Sequence, residues 1–238
     1  MALASCGPVT RSVIELPATR WVASLLLRQP AFWALAALLG ALWPTVAALS
    51  PMGLTTSDAT APGVLYEVAF ASLVVAQVLS LALAGQIEWF VKPLPFRRRV
   101  ALSLSTSTTA AMLLLAAALT LPVCLGTPGP AVWALALTHL HLAGLALILL
   151  QLPMPTVARA CALPLAAWIL PALGGELPYI GPVLARVLDA GEHLNLARSS
   201  VQPTPLTLLP VIGLGLAAWL LEARPPLNVP ARTQVRSR

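Results

Sequence analysis

Three histidines, eight carboxylates and fourteen basic side chains hold nearly all the acid–base chemistry of this chain of 238 residues. Most of them lie between long apolar runs, but Glu67, His139 and His141 lie inside those runs, together with Gln77 and the hydroxyls Ser103, Ser105, Thr106, Ser107, Thr108 and Thr109. An ionisable group in hydrocarbon is costly, so by default it marks a path or a relay. Glu67 stands near the end of its run, within reach of water, and a functional and a solvated role both stay open. His139 and His141 suggest metal or haem ligation. On a helix, however, an i, i+2 pair points to different sides, and the remaining histidine, His193, belongs to a separate polar stretch. A packed, hydrogen-bonded role is the better reading. Candidate path-lining residues are Glu67, Gln77, Ser105, Thr109, His139 and His141. The hydroxyls have a competing role, since serine and threonine also bond their own helix backbone and help helices pack.

A second constellation occupies GQIEWFVKPLPFRRRVALS, Gly85–Ser103. An apolar run ends in glycine and glutamate, a Pro-Leu-Pro turn follows, and three arginines precede the next run. This describes a rigid elbow with a carboxylate, Glu88, beside a basic cluster of Lys92, Arg97, Arg98 and Arg99. Such an elbow suits docking to a soluble partner. The simpler reading is that the arginines stop translocation and Glu88 balances their charge. No catalytic residue is expected: Gly-x-Ser-x-Gly and His-Glu-x-x-His are absent. A nucleotide-binding Gly-x-x-x-x-Gly-Lys-Ser/Thr loop is absent too, and the single lysine precedes Pro93. No metal site is expected, because Cys6, Cys124 and Cys161 form no CxxC pair. Leu3-Ala4-Ser5-Cys6 matches a lipoprotein box only in letters, since five residues leave no room for the required apolar core.

The elements that position these residues follow from composition. With 58% hydrophobic and 9% charged residues, the chain is far from the one-quarter charged that a soluble domain carries. Lipid offers the backbone no hydrogen-bond partners, so helices are the expected spanning form, and the runs are continuous rather than alternating as in a barrel. Runs of about 20 residues are needed to cross. The candidates are Ala31–Leu49, Pro62–Ile87, Val100–Leu121, Ala131–Leu152, Ala160–Leu173 and Leu206–Leu221. Residues 8–28 are too charged to span and suit an interfacial helix. Residues 174–205 read as one or two short helices at or dipping into the outer interface. The expected fold class is all-α: six transmembrane helices, an N-terminal interfacial helix and short outer-side helices between spans five and six. The corresponding divisions are 1–30, 31–222 and a disordered tail, 223–238. With both termini inside, twelve of the fourteen basic residues fall on the inner side, and only Arg186 and Arg198 fall outside. That distribution explains the net charge of +6 as a topology signal, and no nucleic-acid partner is expected.

The elbow resembles a motif of permease subunits of type-2 ABC exporters, a pattern like G-x-L-E-x-L-x-x-L-P-L-x-R. Here Gly85, Glu88, Pro93, Leu94, Pro95 and Arg97 to Arg99 fill a similar frame. The interfacial N-terminus, the Arg28-Gln29-Pro30 entry, the LPLAAWILPAL run and the outer segment also sit where that family has such features. The chain is further similar to the membrane subunit of the cytochrome c maturation haem exporter, in Ala61-Pro62-Gly63 and in Pro-Leu-Pro, although its connector is several residues shorter. The resemblance implies a six-span permease in the bacterial inner membrane, working as a homo- or heterodimer with a second permease subunit. A separate cytoplasmic ATPase would dock on the interfacial helix and on Glu88, Lys92 and Arg97 to Arg99. ATP and Mg would bind that partner, and this chain would hold no cofactor. A structural or anchoring subunit of a respiratory or secretion complex, or a haem-binding membrane protein, are the alternative readings.

Overall fold

A computed structural model describes residues 20–21, 24–49, 61–88, 94–171 and 181–222. The expected interfacial helix before residue 20, Lys92 and the rest of 89–93, residues 174–180 and the tail from 223 lie outside the described residues. Among the described residues all regular structure is helical. Helix α1 is Pro30–Leu49, α2 Ala61–Gln86, α3 Phe96–Cys124 and α4 Val132–Gln151. Helix α5, Thr156–Pro164, runs on through a π-helical turn, Leu165–Ile169. Short helices α6, Gly181–Leu188, and α7, Glu192–Arg198, precede α8, Pro205–Glu222.

Among the described residues three helices are long and apolar enough, by length and composition, to cross a membrane: Gly63–Gln86 within α2, all of α3, and all of α4. Shorter apolar helices cover Pro30–Val46, Thr156–Ile169 and Pro205–Leu221. The chain is a helical membrane protein. Its outward surface agrees with this, since α8 alone exposes Leu206, Leu209, Ile212, Leu216 and Trp219, as a lipid-facing helix does.

Helix α2 is central. It packs against α3, α5, α4 and α1, with α3 its main neighbour. Leu65, Ala76 and Leu83 are buried on one face and Phe70, Val74 and Leu81 on the opposite one, as in a helix in the middle of a bundle. Lipid tails are as apolar as leucine, so burial alone does not hold such helices together; close backbone approach and hydrogen bonds do. Gly40 of α1 lies against the Ala117 carbonyl of α3, which an added Cβ would meet at 3.1 Å. At Gly85 a Cβ would overlap the Thr156 side chain, so glycine lets the end of α2 touch the start of α5.

One local feature departs from the sequence reading. Helix α3 starts at Phe96, so Arg97, Arg98 and Arg99 form its first turn rather than a connector, with Arg98 N–H donating to the Pro95 carbonyl at 2.9 Å. The hydrocarbon limits the apolar stretch, not the helix. At 29 residues, α3 is about 43 Å long against about 30 Å of hydrocarbon. Pro164 does not end α5; the helix widens into the π turn, with Leu170 N–H donating to the Leu165 carbonyl.

Candidate functional site

At one end of the bundle meet the C-termini of α2 and α4 and the N-termini of α3 and α5. Between them lies a cavity of about 320 Å³. Arg99, Arg159, Glu88 and Gln151 line it, as do Ser80 and Ser103, above an apolar wall that includes Leu83, Val100 and Leu147. Arg159 Nη2 donates to the Leu152 carbonyl at 2.9 Å, while its buried Nε has no partner. Arg97, Arg98 and Glu88 are exposed. The segment before α1 belongs to the same end. Leu26 is fully buried in the shared core. Gln29 Nε2 donates to Gln86 Oε1 at 3.2 Å. Arg28, Arg97, Arg98, Arg99 and Arg159 therefore share one end of the molecule. Arg159 is one of the twelve basic residues that the charge count puts on the inner side with Arg97 to Arg99, and nothing else in the sequence singles it out.

The middle of the bundle holds a polar network on His139. The Gln77 amide N–H donates to Nδ1 at 3.4 Å, and Nε2 lies 3.1 Å from Thr108 Oγ1. One imidazole thus links α2, α3 and α4. Gln77 and His139, both named from sequence, come together here, and Thr108 joins them. Ser105 and Thr109 do not: their hydroxyls donate to the carbonyls of Leu102 and Ser105, at 3.0 and 2.8 Å. Thr106 and Ser107 likewise bond their own helix.

His141 points elsewhere, as the i, i+2 spacing requires. It is buried, and its Nε2–H donates to the Val187 carbonyl at 2.8 Å. Nδ1 is then the acceptor, and His193 Nε2–H donates to it across 3.3 Å. His193 is 1% exposed, and its own Nδ1 has no partner. His141 is the tenth of the twenty residues of α4, roughly 14 Å from either end. The α6–α7 segment therefore reaches the middle of α4. Burial, and then the neighbouring His141, push the His193 imidazole down to about 4. Asp189, between α6 and α7, is pushed the other way: burial raises its carboxyl, opposed by the backbone N–H groups of Gly191 and Glu192. The pairing of His193 with His141 joins residues 52 apart, and no local pattern announces it.

Glu67 is exposed, at the opposite end from the arginines. It lines a cleft of about 280 Å³ with Tyr66, Phe70, Trp168, Asp189 and Asn195. The Phe70 and Trp168 rings meet edge to face, with centroids 5.5 Å apart. The six path-lining candidates thus divide among a central network, a histidine latch, this cleft and ordinary helix bonds. Among the described residues no three His, Cys, Asp or Glu side chains converge as a metal site. Comparison with protein-family models, curated proteins and solved structures finds no match.

Proposed function

We propose that this chain is the membrane-spanning permease subunit of an ABC-type exporter in a bacterial inner membrane. It would cross six times, with both termini in the cytoplasm. It would pair with a second permease subunit and be driven by a separate cytoplasmic ATPase. The observation that carries this reading is the contact between the segment entering α1 and the elbow. The Gln29–Gln86 hydrogen bond and the burial of Leu26 join into one surface the two segments that such an ATPase would grip. Arg28, Glu88, Arg97 and Arg98 are exposed on that surface. The arginines of the elbow stand on the first turn of α3, which continues unbroken to Cys124. A push on Arg97 and Arg98 would therefore move a helix that packs on both α1 and α2, and a displacement at the docking surface would reach the far side of the bundle.

Co-purification in mild detergent tests the reading. The expected result is an ATPase subunit that comes down with the chain and hydrolyses ATP faster in its presence. Recovery of subunits of a respiratory or secretion complex, with no ATP turnover, would replace it with the anchoring role. A Soret band in the purified protein would turn attention to haem.

A further inference from the structure

We propose that the cavity at the basic end of the bundle binds an anionic phospholipid, its phosphate between Arg99 and Arg159 and the start of its acyl chains along the apolar wall. This does not depend on the permease reading.

Four helix ends meet at this cavity, two N-terminal and two C-terminal, so their end charges offset one another. The side chains then set its sign. Among the described residues two guanidinium groups, Arg99 and Arg159, line it against one carboxylate, Glu88. Arg159 is fixed by its bond to the Leu152 carbonyl, yet its buried Nε still has a proton to donate and no acceptor. A guanidinium presents its donors in a planar fork that matches phosphate oxygens. Ser103 and Gln151 add neutral polar groups to the same lining.

The rest of the wall decides between a lipid and a free anion. Leu83, Ile87, Val100 and Leu147 border the same space, and a bare phosphate would leave that surface wet. At about 320 Å³ the cavity is at the small end of ligand pockets, roughly 300–1,000 Å³. It takes a headgroup and the first part of the chains, while the remainder lies outside among the exposed apolar side chains of the bundle. The exposed Arg97 and Arg98 stand at the same end, where headgroups lie. Basic pockets between membrane helices commonly hold anionic headgroups.

The test uses the full-length purified chain, with native mass spectrometry during titration with phosphatidylglycerol or phosphatidylcholine. The expected result is retention of phosphatidylglycerol with about tenfold or greater preference, because both lipids offer the phosphate but the choline ammonium of phosphatidylcholine adds a positive charge beside two guanidinium groups. A large excess of inorganic phosphate does not displace it. The preference disappears in Arg99→Gln/Arg159→Gln and survives in Arg97→Gln/Arg98→Gln. Ser103→Phe, which fills the cavity without altering either arginine, gives the same loss and serves if the double variant does not fold. Equal binding of the two lipids by the unaltered chain overturns the proposal. Equal loss in Arg97→Gln/Arg98→Gln would replace it with diffuse surface attraction, and displacement by inorganic phosphate with a free-anion site.

Discussion

Acidification should release the α6–α7 segment from α4. The docked His193 is buried, donates to His141 and offers a bare Nδ1 to an apolar surrounding. A proton added there creates a buried charge with nothing to accept it. An imidazole held at about 4 rather than 6.5 stabilises the docked state fully above pH 6.5. That contribution is lost as pH falls toward 4. The whole effect is about 3 kcal/mol, of which about 2 kcal/mol is gone by pH 5, roughly a thirtyfold change in the docking equilibrium. Asp189 works against it: its carboxyl is raised by burial, so its protonation favours the docked state. His193→Gln separates the two, because a glutamine amide still donates to His141 but does not titrate. Hydrogen-exchange protection factors for residues 181–198, measured at pH 7.5 and pH 5 in mild detergent, report the docking. The unaltered chain loses about one and a half decades of protection relative to His193→Gln. Equal pH dependence in the two proteins would refute the reasoning, as would no dependence in either.

Three further outcomes follow from the packing and from the elbow. Gly85→Val, which must overlap Thr156, separates the ends of α2 and α5. It lowers stability by about 1–3 kcal/mol, seen as a lower midpoint in thermal denaturation. Gln77→Leu leaves His139 Nδ1 without its donor and costs about 1–3 kcal/mol. His139→Leu added to it costs much less than the sum of the two single changes, as a double-mutant cycle will show. Glu88→Gln, or Arg97→Gln/Arg98→Gln/Arg99→Gln, leaves membrane insertion intact and, on the proposed function, abolishes stimulation of the ATPase proposed to dock here. Full stimulation by the triple variant would remove the elbow from the docking surface.

The apolar runs made much of the helical layout legible, because continuous hydrophobicity bounded by proline, glycine and charge translates directly into helix ends. Val132–Gln151 differs by a residue at each end from the run Ala131–Leu152. Helix α3 was harder, because the cost of burying arginine says where the hydrocarbon stops and not where helical hydrogen bonding stops. The site was legible in part. The opposed directions of His139 and His141 follow from the helical repeat. Which neighbour each meets does not, since Gln77 and His193 are brought there by tertiary packing, 62 and 52 residues away in the chain. The hydroxyl run was ambiguous for a physical reason. Every serine and threonine has a backbone carbonyl within reach, and only Thr108 in this group instead meets an imidazole.

Sidedness tests the account most directly. Every functional statement above rests on Arg97, Arg98, Arg99 and Arg159 sharing one face of the membrane while the α6–α7 segment enters from the other. Single cysteines replacing Arg98 or Arg198, in a chain whose Cys6, Cys124 and Cys161 have been changed to alanine, can be treated in intact cells with a membrane-impermeant maleimide. The account predicts labelling at position 198 and, at position 98, labelling only after the cells are opened. Labelling of position 98 from outside, or of both positions from the same side, would contradict it.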